Sequence, residues 1–249
     1  MRTGQGNGHE TIRVSRSGGT EVVGTTEDGR RVVALALDTP DDATVTVSER
    51  LVFPVSGGIT DGQALTLVRD GTTAWHLLRT CAHLRPDETI VVHDAMGGVG
   101  SLAVQLARSF GAGKVIATET SQLRRRRAVK LGADVAVEAC HEDLAARLVE
   151  ANDGRPVDVV LDPGGMFGPS LDAVAPFGRV VCHGADQCES VELKRLHAGS
   201  RAVIGFWFAH CLERPDMIAR ALSELFGLTS AGRLRPLVDD DYSLKEASR

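Results

Sequence analysis

The sequence predicts an α/β protein in which a doubly wound parallel sheet follows a smaller, mainly β portion. From Glu88 onward, short runs rich in Val and Ile alternate with amphipathic stretches of helix length. Strands in such an alternation are apolar on both faces, because helices cover both sides of the sheet. Up to about residue 58, by contrast, Val- and Thr-rich segments are separated by turn clusters. We therefore expect two parts that fold differently.

The first part, residues 1–58, is expected to form short β segments after a Gly/Ser-rich start that is mobile at its beginning. Two stretches typical of strands, "RRVVALAL" and "ATVTVSERLVFPV", flank the turn cluster "DTPDD". In residues 59–87, apolar residues recur at three and four positions. This spacing predicts a connecting pair of helices, interrupted near Gly71.

The second part, residues 88–230, is expected to hold the parallel sheet. Its strand-like runs are "TIVVHDA", "KVIATE", "VAVEA", "VDVVLDP", "RVVCHG" and "RAVIGFWF". A long helix is predicted for "RPDMIARALSELFGLTSAGRL". The tail, residues 231–249, is too short to build much.

Composition limits the function classes. The chain has 249 residues and a formal net charge of -5, which argues against a general nucleic-acid binder, because such a protein needs a basic surface. No apolar segment approaches the roughly 18 residues of a membrane span, and no export signal is recognisable. The five cysteines lack the short CxxC spacing of metal or redox sites, so we expect reduced thiols in a cytoplasmic protein.

A glycine-rich turn marks the candidate cofactor site. Gly97, Gly98 and Gly100 lie between the strand "TIVVHDA" and a helix that begins near Val99. Glycine lets the backbone approach a pyrophosphate, whose charge the N–H groups and dipole of the helix favour. A strand before, a helix after and a second strand beyond predict dinucleotide binding. Asp94 places a carboxylate at this turn, and we expect it to cap a backbone N–H or to face solvent.

The end of the second strand predicts which dinucleotide binds. Glu119 is placed to accept hydrogen bonds from an adenosine ribose, which favours NAD(H). Ser121, Arg124 and Arg125 suit a 2′-phosphate, which favours NADP(H). The two signals agree if Glu119 points outward while both guanidinium groups face the phosphate. On this interpretation NADP(H) is the expected cofactor.

Residues 29–246 resemble a known family. The segment from "GTTAW" to "DVAVEA", followed by "VDVVLDPGG", "LDAVAPFGRVVCHG" and "AVIGFWF", resembles the zinc-independent quinone oxidoreductases of the medium-chain dehydrogenase/reductase superfamily. These proteins are similar in turn to the enoyl reductase domains of polyketide synthases. The resemblance implies a Rossmann cofactor domain beside a GroES-like β domain, NADPH as hydride donor and an enone or quinone as acceptor. It also implies a homodimer that pairs the edge strand "RAVIGFWF".

The resemblance assigns residues to three parts of the dinucleotide. These are Ala95, Met96, Gly97, Gly98, Val99 and Gly100 for the pyrophosphate; Thr118, Ser121 and Arg124, beside the Glu119 already inferred from the strand end, for the adenosine end; and Thr73, Asp162, Gly184, Phe206 and Trp207 for the nicotinamide end.

The chain departs from the family pattern at both ends. Roughly thirty residues precede "RRVVAL", so residues 1–58 are expected to be a reduced GroES-like portion. The chain also stops before the last helix and strand that the family would add. In relatives, tyrosines from the parts of the catalytic domain that are reduced here at both ends often serve as polar or acidic groups, and the single tyrosine of this chain, Tyr242, is kept as a catalytic candidate. Asp94 replaces the small first residue of the family's turn.

No metal is expected. The "GHE" at Gly8–Glu10 is similar to the His-Glu metal motif of the zinc branch, but no cysteine precedes it. Because a zinc site needs three or four convergent ligands, we interpret this motif as accidental and as part of a floppy terminus.

Other candidates for chemistry have structural alternatives. His76 and His183 border the expected cleft and can donate a proton to an enolate, or they are packed structural histidines. Trp75 and the cluster Phe206–Phe208 form either the floor of an apolar pocket or part of the core or dimer interface. Cys182 is expected to be a structural thiol on a buried strand.

The sequence thus predicts an NADPH-dependent oxidoreductase that reduces an enone- or quinone-type substrate, with a role in natural-product metabolism. The expected partners are a small apolar substrate and a second copy of the chain, with no nucleic acid or membrane. The alternative is a non-redox cyclase, dehydratase or isomerase that works in a cleft left open by the reduced substrate domain. A third hypothesis is a catalytically silent protein that binds a nucleotide or a partner.

Overall fold

The chain divides into two compact units, Met1–Thr72 with Phe208–Arg249 and Thr73–Trp207. The computed structural model describes residues 8–36, 43–140, 142–184 and 190–238. Tyr242 therefore lies outside the described residues. The first unit takes in the long helix that the sequence interpretation assigned to the cofactor domain, and the domain boundaries at residues 58, 87 and 230 stay a prediction.

The first unit contains an antiparallel sheet of five strands in its described part, in the order β4-β1-β2-β3-β5. β2 and β3 are interior strands of this sheet, and the adjacent pairs Val22, Val23 and Val32, Val33 are fully buried, so these strands are covered on both faces. The mainly β character predicted for this portion is confirmed. The strands are β1 (His9–Gly18), β2 (Glu21–Thr26), β3 (Arg31–Leu35), β4 (Thr44–Ser48) and β5 (Val52–Pro54).

The first strand corrects the expectation of a floppy terminus around "GHE". His9 and Glu10 begin β1, where antiparallel pairing with Ser48 and Val47 of β4 satisfies their backbone groups. The Glu10 carboxylate also forms an ion pair with Arg30. Sequence patterning missed this strand because its polar residues and flanking glycines outweigh its few apolar positions.

Residues 61–81 are helical throughout. Thr60 caps α1 (Asp61–Thr66) in a reciprocal capping box with Gln63. A π-helical segment (Leu67–Gly71) follows, then α2 (Thr72–His76) and a second π-helical segment (Leu77–Cys81). The prediction that Gly71 interrupts a helical pair is wrong, because glycine here permits close packing: a Cβ at Gly71 would lie 3.0 Å from Leu67 Cδ2 and 3.1 Å from Leu225 Cδ1.

The first unit ends with two helices, α8 (Ala209–Leu212) and α9 (Pro215–Ser230). The long predicted helix is α9, and it begins with a proline in its first turn, where the missing N–H costs nothing. Its apolar face buries Ile218, Leu222 and Leu225.

The second unit contains six parallel strands in its described part, in the order β11-β10-β9-β6-β7-β8. The chain runs outward from β6 to β7 and β8, then crosses back to β9 and continues outward on the other side. The order therefore reverses beside β6, which is the switch point at which doubly wound sheets bind ligands. This confirms the predicted fold class. The strands are β6 (Thr89–Val92), β7 (Lys114–Glu119), β8 (Val135–Glu138), β9 (Val157–Asp162), β10 (Val174–His183) and β11 (Ala202–Phe206).

Helices cover this sheet and complete its core. Val91, Ile116 and Val160 are fully buried together with Leu148 and Leu171 from two of the helices. One helix, α7, was not indicated by the sequence and buries none of its residues. The helices are α3 (Gly98–Ser109), α4 (Gln122–Leu131), α5 (Leu144–Ala151), α6 (Phe167–Ala173) and α7 (Leu193–Gly199).

Within the described ranges, none of the helices combines the length and the hydropathy that crossing a membrane requires.

Candidate cofactor site

The glycine turn lies at the carboxyl edge of the parallel sheet. β6 and β7 are adjacent and in register, so the residues that follow them meet at this edge. Gly97 is the N-cap of α3 and provides no side-chain cap. A Cβ at Gly100 would lie 2.1 Å from the carbonyl oxygen of Asp94, so only glycine allows the helix to start this close to the strand end.

Asp94 lies directly on this turn. Its backbone is left-handed, with a φ of 46°, a region that aspartate tolerates better than most residues. A Cβ built on Gly97 would be only 2.2 Å from Asp94 Oδ2, so the carboxylate covers the glycine. Asp94 Oδ1 accepts a hydrogen bond from Arg124 Nη2 at 2.8 Å, although the side chain is 57% exposed. The sequence indicated the exposure but not this partner.

The environment of Asp94 raises the pKa of its carboxyl group. Partial removal from water is the largest cause, and the nearby Glu119 carboxylate adds to it, while Arg124 acts in the opposite direction. The carboxylate is thus held less firmly in its charged form than an ordinary surface aspartate.

Glu119 points inward, so the expectation that it faces outward is wrong. Its side chain is only 3% exposed. Glu119 Oε1 accepts the Met96 N–H at 2.6 Å, and Oε2 accepts Arg124 Nε at 2.6 Å. A buried carboxylate needs hydrogen-bond and charge partners, and the turn and α4 supply them here.

The other polar residues at the end of β7 are turned toward the main chain. Ser121 Oγ accepts the Arg124 N–H at 3.2 Å and so caps α4. Arg125 Nη1 donates to the carbonyl oxygens of Glu119 and Thr120 at 3.0 Å and 2.9 Å. Of the two guanidinium groups expected to face a phosphate, only that of Arg124 lies against the glycine turn.

A buried histidine, His93, lies next to Asp94 in the chain and joins β7 to α6. One ring nitrogen of His93 lies 2.7 Å from Thr118 Oγ1 and the other 2.8 Å from Ser170 Oγ. Burial lowers the pKa of His93 to about 4, so the ring is neutral near pH 7. The sequence interpretation missed this residue, although a histidine that directly follows the buried strand "TIVV" was an available signal.

A second part of the site lies at the carboxyl ends of β9, β10 and β11. There a cavity of about 180 Å³ is lined by Asp162, Cys182, His183, Gly184 and Gly205, among others. Asp162 Oδ1 accepts the Gly164 N–H at 2.9 Å. A Cβ at Gly184 would lie 2.3 Å from the Pro163 carbonyl oxygen, which keeps this edge tight. Burial lowers the pKa of His183 to about 4.

Comparison with known proteins agrees with this architecture. The family model for zinc-binding dehydrogenases matches residues 98–226, which is more than half of the chain. The chain belongs to this family. It is a member of the medium-chain dehydrogenase/reductase superfamily, in the quinone oxidoreductase-like and enoyl reductase-like branch that the sequence resemblance indicated.

Three relatives illustrate this membership. The chain is 35% identical over 210 residues to the quinone oxidoreductase of Pseudomonas aeruginosa, which covers 82% of this chain and 64% of the relative. The solved quinone oxidoreductase of Pseudomonas syringae has a TM-score of 0.82 at 28% identity and covers 94% of this chain and 84% of that one. The Escherichia coli quinone oxidoreductase, solved in complex with NADPH, has a TM-score of 0.83 at 25% identity, with coverages of 93% and 82%.

The remaining candidates of this superfamily member lie in packed surroundings or at the surface. His76 is buried, its Nδ1 lies 2.7 Å from Thr80 Oγ1, and its ring stacks on Phe206 with centroids 5.9 Å apart. These contacts are those of the packed structural histidine considered as its alternative. Thr73 is buried, whereas Trp207 is half exposed.

Cys182 is only partly buried: it borders the cavity and also packs against the buried cluster of the second unit. Of the aromatic cluster, Phe206 belongs to the second unit and Phe208 to the first, where the Arg69 guanidinium lies 5.4 Å from the Phe208 ring centroid. The pocket floor and its alternatives, the core or a dimer interface, stay predictions. Among the described residues, no group of His, Cys, Asp and Glu is placed to hold a metal ion.

Proposed function

We propose that this chain is an NADPH-dependent oxidoreductase that reduces an enone- or quinone-type substrate by hydride transfer. The observation that carries the proposal is the glycine turn at the switch point, where a Cβ at Gly100 would strike the backbone of Asp94. That geometry brings the start of α3 to the place where parallel α/β sheets bind dinucleotides. Membership in the quinone oxidoreductase-like branch supports the same chemistry.

The residues at this edge suit the two ends of a dinucleotide. Gly97, the N-cap residue of α3, has no side chain that could cap the first-turn N–H groups, so a pyrophosphate could take that role once the Asp94 carboxylate, which covers Gly97, moves aside. The cavity beside Asp162 and Gly184 has the position expected for the nicotinamide end. NADPH supplies a hydride when bound, and the chain's own residues hold it, orient it and limit the access of water.

NADP(H) is proposed over NAD(H). The similar Escherichia coli structure is a complex with NADPH. In this chain Arg124 provides a guanidinium at the end of β7, which is the position that binds a 2′-phosphate in Rossmann domains.

Substrate class and assembly are part of the proposal. Relatives named quinone oxidoreductases support a small quinone or enone acceptor, and a role in natural-product metabolism remains a prediction. A homodimer through β11 is supported by this strand's place at the edge of the sheet and by the half-exposed Trp207 beside it. Zinc independence and a cytoplasmic location also stay predictions.

A non-redox cyclase, dehydratase or isomerase on this scaffold is the second candidate. It is favoured by the Asp94 carboxylate, which covers Gly97 and engages Arg124 where a dinucleotide would bind. In that case the chemistry would not need a nicotinamide.

Thermal unfolding with and without each cofactor tests the proposal. A ligand that binds only the native state raises the melting temperature, so NADPH should raise it more than NADH does. A panel of quinones and enones should then consume NADPH in stoichiometric amounts. If millimolar NADPH and NADH both leave the melting temperature unchanged, the proposal is wrong; product formed without nicotinamide would support the second candidate.

A further inference from the structure

The Arg124 guanidinium is shared between two carboxylates. Its Nε binds Glu119 Oε2 at 2.6 Å, and its Nη2 lies 3.1 Å from Glu119 Oε1 and 2.8 Å from Asp94 Oδ1. The residue that suits a 2′-phosphate is therefore already bound to anions that belong to the chain itself.

The two carboxylates are not equally anchored. Glu119 is buried and also accepts the Met96 N–H of the turn, so it is fixed by two different elements. Asp94 is more than half exposed and binds Nη2 of the guanidinium, which Glu119 Oε1 also contacts, whereas Glu119 binds Nε as well. An incoming anion can therefore displace Asp94 from Arg124 far more easily than it can displace Glu119.

The local charge disfavours a second anion. Two carboxylates, Asp94 and Glu119, face one guanidinium, which gives a formal charge of minus one. Arg125 does not offset this charge at the turn, because its guanidinium binds main-chain carbonyl groups and lies 3.9 Å from Glu138. A 2′-phosphate must both displace Asp94 and approach it, whereas the ribose hydroxyl of NAD(H) can donate to a carboxylate.

We infer that Asp94 is an internal anion that competes with the 2′-phosphate of NADP(H) for Arg124, and that it thereby reduces the preference of this chain for NADPH over NADH. This inference rests on the proposed function. It makes Asp94 a specificity-determining residue. Binding of NADPH exchanges one partner of Arg124 for another, and binding of NADH leaves the Asp94–Arg124 pair intact.

The test measures dissociation constants of NADPH and NADH for the full chain and for Asp94→Asn. Asparagine has the same size, tolerates the left-handed backbone and carries no charge. We expect NADPH to bind about tenfold more tightly to the variant, a factor typical of one charge-assisted contact, and NADH to change by less than about twofold. The ratio of the two constants is the readout.

Two further comparisons isolate the role of Arg124. In an Arg124→Gln background, Asp94→Asn should change NADPH binding by less than about twofold, because the contested cation is gone. Asp153→Asn is the matched control: Asp153 also has a positive φ, 57°, and pairs with a cation, Lys114 Nζ, at 2.9 Å. Because Lys114 begins β7 and Arg124 follows its other end, this control should leave both constants unchanged.

Each outcome is decisive. If Asp94→Asn tightens NADPH and NADH equally, or changes neither, the inference is overturned while the proposed function stands. The same holds if the full effect persists without Arg124, since the aspartate would then act directly on the phosphate. If neither cofactor binds any of the folded proteins, the proposed function fails and the inference fails with it.

Discussion

The two ends of the candidate cofactor site are built in opposite ways. Beyond β6 and β7, side chains fill the edge of the sheet with an ion-pair cluster of Asp94, Glu119 and Arg124. Beyond β9, β10 and β11, the same edge has a cavity of about 180 Å³ bordered by Cys182 and His183. Charged side chains thus occupy the first end, which we call the closed end, whereas the second, the open end, has unfilled space.

This difference separates two tasks of cofactor binding. At the closed end a ligand must rearrange existing ion pairs, so charge and its partners decide affinity and selectivity. At the open end a ligand fills space, so shape decides how a reactive ring is placed. A substitution at one end, measured beside a matched substitution at the other end or elsewhere in the unit, separates these two tasks.

The largest difference is expected for alanine at two glycines. Gly100→Ala places a Cβ 2.1 Å from the Asp94 carbonyl oxygen, whereas a Cβ at Gly205 meets nothing within 4 Å. We expect Gly100→Ala to lower the free energy of unfolding by at least about 3 kcal/mol and Gly205→Ala by less than about 0.5 kcal/mol. Urea unfolding measures both. Equal stability of the two variants would mean that the turn relaxes without cost.

Acid should destabilise the chain through its neutral histidines. Burial lowers the pKa of His93 from 6.5 to about 4, so below pH 6.5 the unfolded chain binds a proton that the folded chain does not. The contribution of neutral His93 to the free energy of unfolding is therefore fully present above about pH 6.5 and is lost as the pH falls toward 4. The loss from His93 should be about 2 kcal/mol by about pH 4.5.

His93→Gln should remove that part of the pH dependence, measured as the free energy of unfolding against pH. His183→Gln is the companion variant at the open end, since burial also lowers the pKa of His183 to about 4. The His93 variant should additionally loosen the turn, because the ring joins Thr118 to Ser170. A pH profile that His93→Gln leaves unchanged would contradict this assignment.

A smaller loss of unfolding free energy is expected when the buried carboxylate of Glu119 is replaced. Glu119→Gln places an amide against Arg124 or Met96 N–H and should cost about 1.5 kcal/mol of unfolding free energy. Glu138→Gln changes a half-exposed carboxylate that pairs with Arg147 at 3.4 Å and should cost less than about 0.5 kcal/mol. Thermal or urea unfolding distinguishes them, and a larger loss for Glu138→Gln would refute the ranking.

The smallest effect is expected from a bulkier side chain in the cavity at the open end. Val203 lines the cavity, so Val203→Phe should weaken NADPH about threefold while leaving 2′,5′-ADP, which lacks nicotinamide, unchanged. Ile204→Phe is the control, because successive strand residues point to opposite faces. Calorimetric titration measures both ligands. Equal weakening of the two ligands would show that the cavity does not serve the nicotinamide end.

The fold was predictable because strand length and apolar content repeat along the second unit. Helix α3 and strand β7 lie where the glycine turn and "KVIATE" indicated. Strand β1 was not predicted, since its stability comes from pairing with two neighbours and not from its own pattern. The pairing with β2 is a local hairpin, but the pairing with β4 joins segments far apart in the chain, and such pairing leaves little trace in a single segment.

The candidate site was predictable in its positions but not in its side-chain directions. Glu119 was correctly placed at the strand end, but its inward orientation depends on the Met96 N–H, 23 positions away in the chain. The bond between Asp94 and Arg124 likewise joins residues 30 positions apart. Charge partners at such distances are set by the assembled sheet, so sequence order alone does not reveal them.

The left-handed backbone at Asp94 also limits what mutation can place there. With a φ of 46°, this position accepts glycine, asparagine and aspartate more readily than other residues. In the genetic code the aspartate codons differ by a single base from glycine codons and from asparagine codons. If Asp94 sets cofactor preference, that preference can therefore change by one nucleotide substitution without a change of fold.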